Sequence, residues 1–113
     1  VREMVRLLGA RPERILAAVG PCIGKCCFET DGDVPEAMRA SALGPEAEPY
    51  LERRGAKYHV DLAGLNRQWL LHAGVLPEHI DVCGLCTACR PDLFWSHRKM
   101  GNARGAQVAM ICL

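Results

Sequence analysis

Two cysteine-rich segments, Gly20–Glu29 and Cys83–Arg98, hold six of the chain's seven cysteines. The second segment repeats cysteine at every third position from Cys83 to Cys89, a close spacing that zinc ligands often have. Residues 28–82 separate the two groups, which is unlike a zinc ribbon, and Leu93 stands where a ferredoxin-type iron–sulfur pattern needs its fourth cysteine. Unpaired cysteines also pack as small apolar side chains in protein interiors. A shared metal site and a set of buried thiols are therefore both open interpretations.

The composition predicts one ordinary globular domain. With 113 residues, half of them apolar, the chain can bury a modest core. Its net charge of +1 gives no electrostatic indication of nucleic acid or an anionic membrane as a partner. Apolar runs such as Ile15–Val19 are too short to span a bilayer. We therefore expect a cytoplasmic protein whose thiols stay mostly reduced.

Alternating helix and strand signals predict an α/β or α+β fold, a layered domain in which helices flank a mixed β-sheet. Helical periodicity and cap residues predict three helices. The first covers residues 1–8 and ends at Gly9, the second begins after Asp31 or Asp33, and the third covers residues 61–72. Short apolar runs predict strands at residues 14–19, 57–60, 80–83 and 107–113, and an extended piece at residues 26–29. The Gly- and Pro-containing stretch at residues 41–49 is expected to form a loop.

The clearest of these helices follows Asp61, whose side chain is a good N-cap. Leu62, Leu65 and Trp69 share one face of it and are expected in the core. Replacing a buried Trp69 by alanine would lower the free energy of unfolding by roughly 3–5 kcal/mol. Gly74 is the expected end of the helix.

Several side chains in and around the two segments are candidates for chemistry. Cys86 would be a nucleophile if His59 or His97 lay near enough to act as its base. The Gly20–Gly24 loop follows a predicted buried strand, where glycines let backbone N–H groups approach an anion. Arg98 offers phosphate two parallel donors, although a solvated surface charge is an equally good interpretation.

Taken in order, the motifs of the chain resemble the YfiH-like family. The resemblance begins with G-P-x-I-G at Gly20–Gly24 and F-E at Phe28–Glu29. It continues with D-L…N…Q in the helix after residue 60, C-T at Cys86–Thr87 and D-x-F-x-S-x-R at Asp92–Arg98. The closing G-R motif is slightly altered, to Ala103–Gly105. Each piece alone is weak, but the ordered set covers nearly the whole chain and is specific.

Proteins of this family were first called laccase-like or multicopper polyphenol oxidases and were later understood as zinc-dependent purine nucleoside phosphorylases. The resemblance implies a complete enzyme that cleaves the N-glycosidic bond of adenosine or inosine with phosphate. It also implies deamination of adenosine by zinc-activated water. The implied partners are a purine nucleoside and phosphate, and neither nucleic acid nor a membrane.

For this chain the resemblance suggests one wall of the substrate pocket, with Arg98 on phosphate and Glu29 on the ribose or base. No catalytic residue is assigned. The expected substrate-binding residues are Gly20, Ile23, Gly24, Glu29, Cys86, Thr87, Ser96 and Arg98.

The metal of the family is zinc, with copper as the alternative, and it is held by two histidines and a cysteine in upstream segments. Those segments, typified by A-D-C and H-A-G-W-R-G, are not present, and His72–Gly74 only imitates the start of the second. The helix at Val1 also starts without a cap residue. We therefore expect residues 1–113 to be the C-terminal portion of one YfiH-like domain, with metal ligands upstream of Val1 and none in this chain.

Two other functions are weighed against this one. The first alternative is a cysteine-rich metal-binding module without catalysis, which the cysteine spacing alone would allow. The second is a multicopper oxidase, which would need many more histidines than the four that the chain contains.

Overall fold

The computed structural model describes residues 1–111. Its helices are α1 (Arg2–Leu8), α2 (Asp33–Arg39), α3 (Leu62–His72) and α4 (His97–Met100). Its strands are β1 (Ala17–Val19), β2 (Glu29–Thr30), β3 (Leu51–Arg54), β4 (Lys57–Val60) and β5 (Ile80–Val82). Short 3-10 turns lie at Pro12–Arg14, Gly44–Tyr50, Pro77–His79 and Gly101–Ala103. Within the described residues, no helix has the length and apolarity that crossing a membrane requires.

The strands form two small sheets. β1 pairs in parallel with β5, whereas β4 pairs antiparallel with β2 on one side and β3 on the other. The predicted α/β or α+β class, with helices beside parallel and antiparallel strands, is confirmed. The expected single mixed sheet is instead divided, because no described strand pairs with members of both sheets.

Helix α3 begins and ends where the sequence predicts. Asp61 is its N-cap, and Oδ1 of Asp61 accepts a hydrogen bond from the Gly64 N–H at 3.0 Å. A side chain at Gly64 would overlap the ring of Tyr50, so this helical position requires glycine. The chain turns away through Gly74, whose φ of 89° is a left-handed conformation that glycine adopts without strain.

The core gathers apolar side chains from the 3-10 turn before β3, from β3 and β4, and from α3. The buried members are Leu43, Ala47, Leu51, Val60 and Leu65. Trp69 is not among them, since 37% of its surface is exposed. The prediction that Trp69 lies in the core is therefore wrong, because α3 turns this residue toward a surface cavity that Gly20 and Cys22 also line.

Two predicted element starts are corrected. The strand expected at residues 14–19 is shortened to β1, because Pro12 starts a 3-10 turn that runs to Arg14. The helix α2 is not capped by an aspartate, because its N-cap residue is Gly32, which has no side chain to accept a hydrogen bond. Pro35 lies in the first turn, as predicted.

A hairpin and a C-terminal stretch also differ from expectation. β3 and β4 form a hairpin through Gly55, whose φ is 62°, and the sequence does not reveal β3 because Leu51 is its only apolar residue. The strand expected at residues 107–113 is absent over residues 107–111, where the apolar side chains are exposed and no described backbone pairs with them. The rest of that expected strand, Cys112 and Leu113, lies outside the described residues.

Leu65→Ala should lower the free energy of unfolding by about 2–5 kcal/mol, because Leu65 is 1% exposed and its truncation leaves a cavity in the core. Leu8→Ala is the matched control, since it removes the same atoms from a helical leucine that is 78% exposed. We expect the control to change stability by no more than about 0.5 kcal/mol. Urea denaturation of both variants measures the difference, and equal effects would contradict this placement of the core.

Candidate functional site

The candidate site forms where the two cysteine-rich segments leave the parallel strands β1 and β5. The register pairs Val19 with Val82, so the loops that follow start side by side. Their contact continues beyond the strands. The Cys83 N–H donates to the Val19 carbonyl at 2.9 Å, and the Thr87 N–H donates to the Cys22 carbonyl at 3.0 Å. The parallel pair thus joins segments that are far apart in sequence.

At Gly24 the backbone of the first loop lies very close to the Cys86 side chain of the second loop. The Gly24 N–H donates to Sγ of Cys86 at 3.1 Å. A Cβ at Gly24 would stand 3.1 Å from Cβ of Cys86 and 3.3 Å from Sγ of Cys26, which is closer than side chains normally come. The loops therefore meet only because this residue has no side chain, which gives a physical reason for the last glycine of G-P-x-I-G.

Four thiols gather beside this contact. We call them the four-cysteine cluster: Cys26, Cys27, Cys86 and Cys89. Their sulfur atoms all lie within 4.8 Å of one another, and Sγ of Cys89 is 3.6 Å from that of Cys26 and 3.4 Å from that of Cys27. Among residues 1–111, this is the only group of three or more Cys, His, Asp or Glu side chains placed to hold a metal ion. The sequence separation that argued against a shared site is therefore no obstacle in the fold.

The thiols of the cluster differ in acidity. Burial raises the pKa of Cys86, but hydrogen bonds from backbone N–H groups, that of Gly24 first, outweigh burial and lower the pKa to about 6. Burial, and next the hydrogen bond to Cys89, raises the pKa of Cys26. Cys86 is therefore the member of the cluster that loses its proton most readily.

Arg98 connects α4 to the end of the first cysteine-rich segment. Its Nη1 donates to the Glu29 carbonyl at 3.0 Å, and its guanidinium carbon lies 5.6 Å from the centre of the Phe28 ring. Ser96 caps α4, since its Oγ accepts a hydrogen bond from the Lys99 N–H at 3.4 Å. These contacts fix the start of α4 and the guanidinium, while most N–H donors of Arg98 stay available to a ligand.

Arg98 and Lys99 line a cleft of about 510 Å³ together with Cys27 and Cys89 of the cluster. Two cationic side chains on one concave surface attract a small anion. The planar guanidinium adds a two-pronged donor that matches phosphate oxygens. The cleft is thus a feasible phosphate site directly beside the four-cysteine cluster.

His59 contacts Glu29, and no described contact joins it to Cys86. Its Nδ1 is 2.8 Å from the Lys25 carbonyl, which can only accept, so Nδ1 carries the hydrogen. Its Nε2 lies 3.6 Å from the Glu29 carboxylate, and the His59 side chain is only 12% exposed. The other histidine considered as a base, His97, is exposed on α4. The nucleophile–base pair that the sequence left open is therefore not formed by the described contacts.

The predicted substrate-binding residues fall into two groups. Five of them border the joined loops: Gly24, Glu29, Cys86, Thr87 and Arg98. Gly20 lies apart and lines a cavity of about 940 Å³ with Trp69 and His72. Ile23 is half-buried, and Ser96, which caps α4, is 5% exposed. The substrate contacts of all eight stay predictions.

Comparison with known proteins identifies the family to which this chain belongs. All of residues 1–113 match the family described as multi-copper polyphenol oxidoreductase laccase. The chain is 41% identical over 101 residues to the purine nucleoside phosphorylase YlmD of Geobacillus stearothermophilus, covering 88% of this chain and 36% of the relative. A crystal structure of YlmD from that species superposes with a TM-score of 0.81 at 36% identity, over 87% of this chain and 36% of that one.

Two further relatives carry names for two activities. The purine nucleoside phosphorylase of Deinococcus radiodurans is 45% identical over 113 residues, which is 100% of this chain and 41% of the relative. The adenosine deaminase RL5 from an unknown prokaryotic organism is 36% identical over 105 residues, 93% of this chain and 40% of the relative. The chain thus spans between 36% and 41% of the length of these relatives. These matches do not support its expected C-terminal position in a longer domain, which stays a prediction.

Gly24→Ala should lower the free energy of unfolding by about 1–3 kcal/mol, the usual cost of inserting atoms into a packed contact. The new Cβ would push against Cys86 and Cys26. Gly20→Ala is the matched control, because a Cβ there meets no atom within 4 Å. We expect that variant to stay within about 0.5 kcal/mol of the parent. Thermal and urea unfolding measure both variants, and an unaffected Gly24→Ala protein would show that the loops are not in contact.

Proposed function

Because the chain belongs to the multi-copper polyphenol oxidoreductase laccase family, we propose that it forms part of a purine nucleoside phosphorylase. The observation that carries the proposal is its likeness, over its whole length, to a relative of that name. The reaction would break the N-glycosidic bond of adenosine or inosine and join the ribosyl carbon to a phosphate oxygen. Deamination of adenosine is a second activity, supported by the relative named adenosine deaminase.

Arg98 would bind the phosphate. It lies in the cleft that Lys99 also lines, and a single hydrogen bond to the Glu29 carbonyl leaves donors for phosphate oxygens. The Phe28 ring, whose centre lies 5.6 Å from the guanidinium carbon, adds a cation–π contact that favours this position of the side chain. The role of Arg98 is to hold the anion in position for attack on the ribosyl carbon.

The other expected contacts would shape the wall around this anion. Gly24 keeps the two loops in contact, and Thr87 holds them through its N–H to the Cys22 carbonyl. The Glu29 carboxylate is exposed beside His59 and could accept a hydrogen bond from a ribose hydroxyl. Ser96 would act indirectly, by capping the helix that carries Arg98.

The zinc that the family resemblance implies does not fit the described residues as a catalytic ion. A catalytic zinc keeps a coordination position open for water or substrate, whereas four thiolates fill a tetrahedral site. No histidine belongs to the cluster, within the part of the chain that the structure describes. A catalytic zinc would therefore be held by ligands elsewhere in the complete protein.

The alternative function, a metal-binding module without catalysis, is favoured by one observation, the convergence of four cysteines. Metal binding by the cluster does not exclude catalysis, because many enzymes carry a structural metal apart from the reacting groups. Family membership and the basic cleft therefore favour the enzyme.

The complete protein should release hypoxanthine from inosine, or adenine from adenosine, only when phosphate is supplied. The 113-residue chain alone should release neither, because the proposed catalytic metal ligands are not among its residues. Chromatographic detection of the free base, with and without phosphate, measures both. Failure of the complete protein on both nucleosides would reject the proposed function. Phosphate-dependent release by the chain alone would place the catalytic groups within it.

Arg98→Lys in the complete protein should weaken apparent phosphate affinity by about tenfold or more, since each 1.4 kcal/mol of lost binding is a factor of ten. Lysine keeps the charge but loses the paired donors. The matched control is Arg90→Lys, because Arg90 is exposed and pairs with Asp92 outside the cleft. Steady-state kinetics should show a raised KM for phosphate and an unchanged KM for the nucleoside. An unchanged KM for phosphate with a lowered melting temperature would make Arg98 purely structural.

A further inference from the structure

Cys86 is also a predicted substrate contact, but no step of the proposed phosphorolysis needs all four thiols of the four-cysteine cluster. Their sulfur atoms nevertheless lie within 4.8 Å of one another. Two members, Cys26 and Cys89, are exposed, and the other two are half-buried. Thiols brought together from two distant segments need a reason to converge. We propose that the four-cysteine cluster binds one structural Zn²⁺ ion.

The sulfur positions suit a tetrahedral ion. Zinc binds thiolate sulfur at about 2.3 Å, and a regular tetrahedron of that size places its sulfur atoms about 3.8 Å apart. The separations of 3.4 Å and 3.6 Å from Cys89, and the upper limit of 4.8 Å for the whole group, bracket this value. Side-chain rotations that move the sulfur atoms by no more than about 1 Å would complete the tetrahedron.

Hydrogen-bonded turns hold the sulfur-bearing residues of both segments, and one of these turns has the ligand spacing of structural zinc sites. Cys86 and Cys89 have the C-x2-C spacing of a zinc-binding turn, which is closed by the Arg90 N–H donating to the Cys86 carbonyl at 3.1 Å. The second pair is adjacent in sequence and lies in a turn closed by the Cys27 N–H donating to the Gly24 carbonyl at 2.9 Å. The Gly24 N–H donates to the Cys86 sulfur, and such outer contacts orient ligands.

Nearby charges favour the ion-bound state. Four thiolates around Zn²⁺ form a negatively charged centre, and their protons leave to solvent as the metal binds. Arg98 and Lys99 line the cleft that two of the sulfur-bearing residues share, so positive charge stands beside that centre. Thiolates are soft ligands that select zinc over magnesium or calcium, and four of them leave no open position. The ion would therefore fasten the two loops together.

Zinc content of the complete protein tests the proposal. Cys86→Ser and Cys89→Ser should each contain one zinc equivalent less than the parent when measured by mass spectrometry after purification under reducing conditions. Their zinc affinity should fall by more than the roughly 10- to 100-fold that loss of an outer contact produces. Cys83→Ser is the matched control, since Cys83 lies in the same segment but outside the cluster, and it should keep the parent content. Equal zinc in the parent and the two cluster variants would overturn the proposal.

A measurement on the unaltered protein keeps the test valid if the variants fail to fold. Cobalt(II) exchanged into the complete protein should give the intense visible bands of a tetrahedral all-thiolate site, and zinc should then remove them. Zinc should also protect the four cluster cysteines from alkylation, as peptide mapping can show. Missing thiolate bands, equal alkylation with and without zinc, or a disulfide within the cluster under reducing conditions would overturn the proposal. None of these readouts uses catalytic activity, so failure of the proposed enzyme function would leave them interpretable.

Discussion

The parallel pairing of β1 with β5 is the constraint on which the site depends. Both cysteine-rich segments begin at the carboxyl end of one of these strands, so the pairing places their loops side by side. The contact then extends through an isolated parallel β-bridge between the backbones of Cys22 and Cys86, and Gly24 allows the backbone to reach the Cys86 sulfur. Ligands bind at the carboxyl ends of parallel strands in many α/β proteins, because the loops there converge. Here the same geometry gathers thiols and, through α4, a guanidinium.

Local signals made part of this fold predictable. Asp61 and Gly74 bound α3, and Gly9 ends α1, because caps and left-handed turns depend on neighbouring residues alone. The hairpin strand β3 stays hidden, since three of its four residues are charged and its stability comes from pairing with β4. The apolar run at residues 107–111 misleads for the opposite reason: it has strand-like residues but no described partner. Pairing between distant residues is the information that local patterns lack.

The candidate site shows the same division. Motif resemblance pointed to Gly24, Cys86 and Thr87, which lie where the two loops meet, and to Glu29 and Arg98, which contact each other. The sequence motifs could not show that Cys26 and Cys27 lie beside Cys89, because cysteine spacing describes only residues that are close in sequence. The available signal was that each segment follows a predicted strand, which becomes decisive only once those strands are known to be neighbours. Conversely, Trp69 lies on the apolar face that the sequence predicts for α3, but it lines a surface cavity and its side chain is exposed.

The four-cysteine cluster and Arg98 join the same two stretches of chain, residues 22–30 and 83–100, at different points. Cys27 of the cluster is followed directly by Phe28, whose ring lies against the Arg98 guanidinium. On the other side, Cys89 lines the cleft that Arg98 enters from α4. A metal ion that fixes the sulfur atoms would therefore also fix both walls of the proposed phosphate site, without touching phosphate itself. Because preorganised contacts lose less entropy when a ligand binds, such an ion would strengthen anion binding in the cleft without taking part in the reaction.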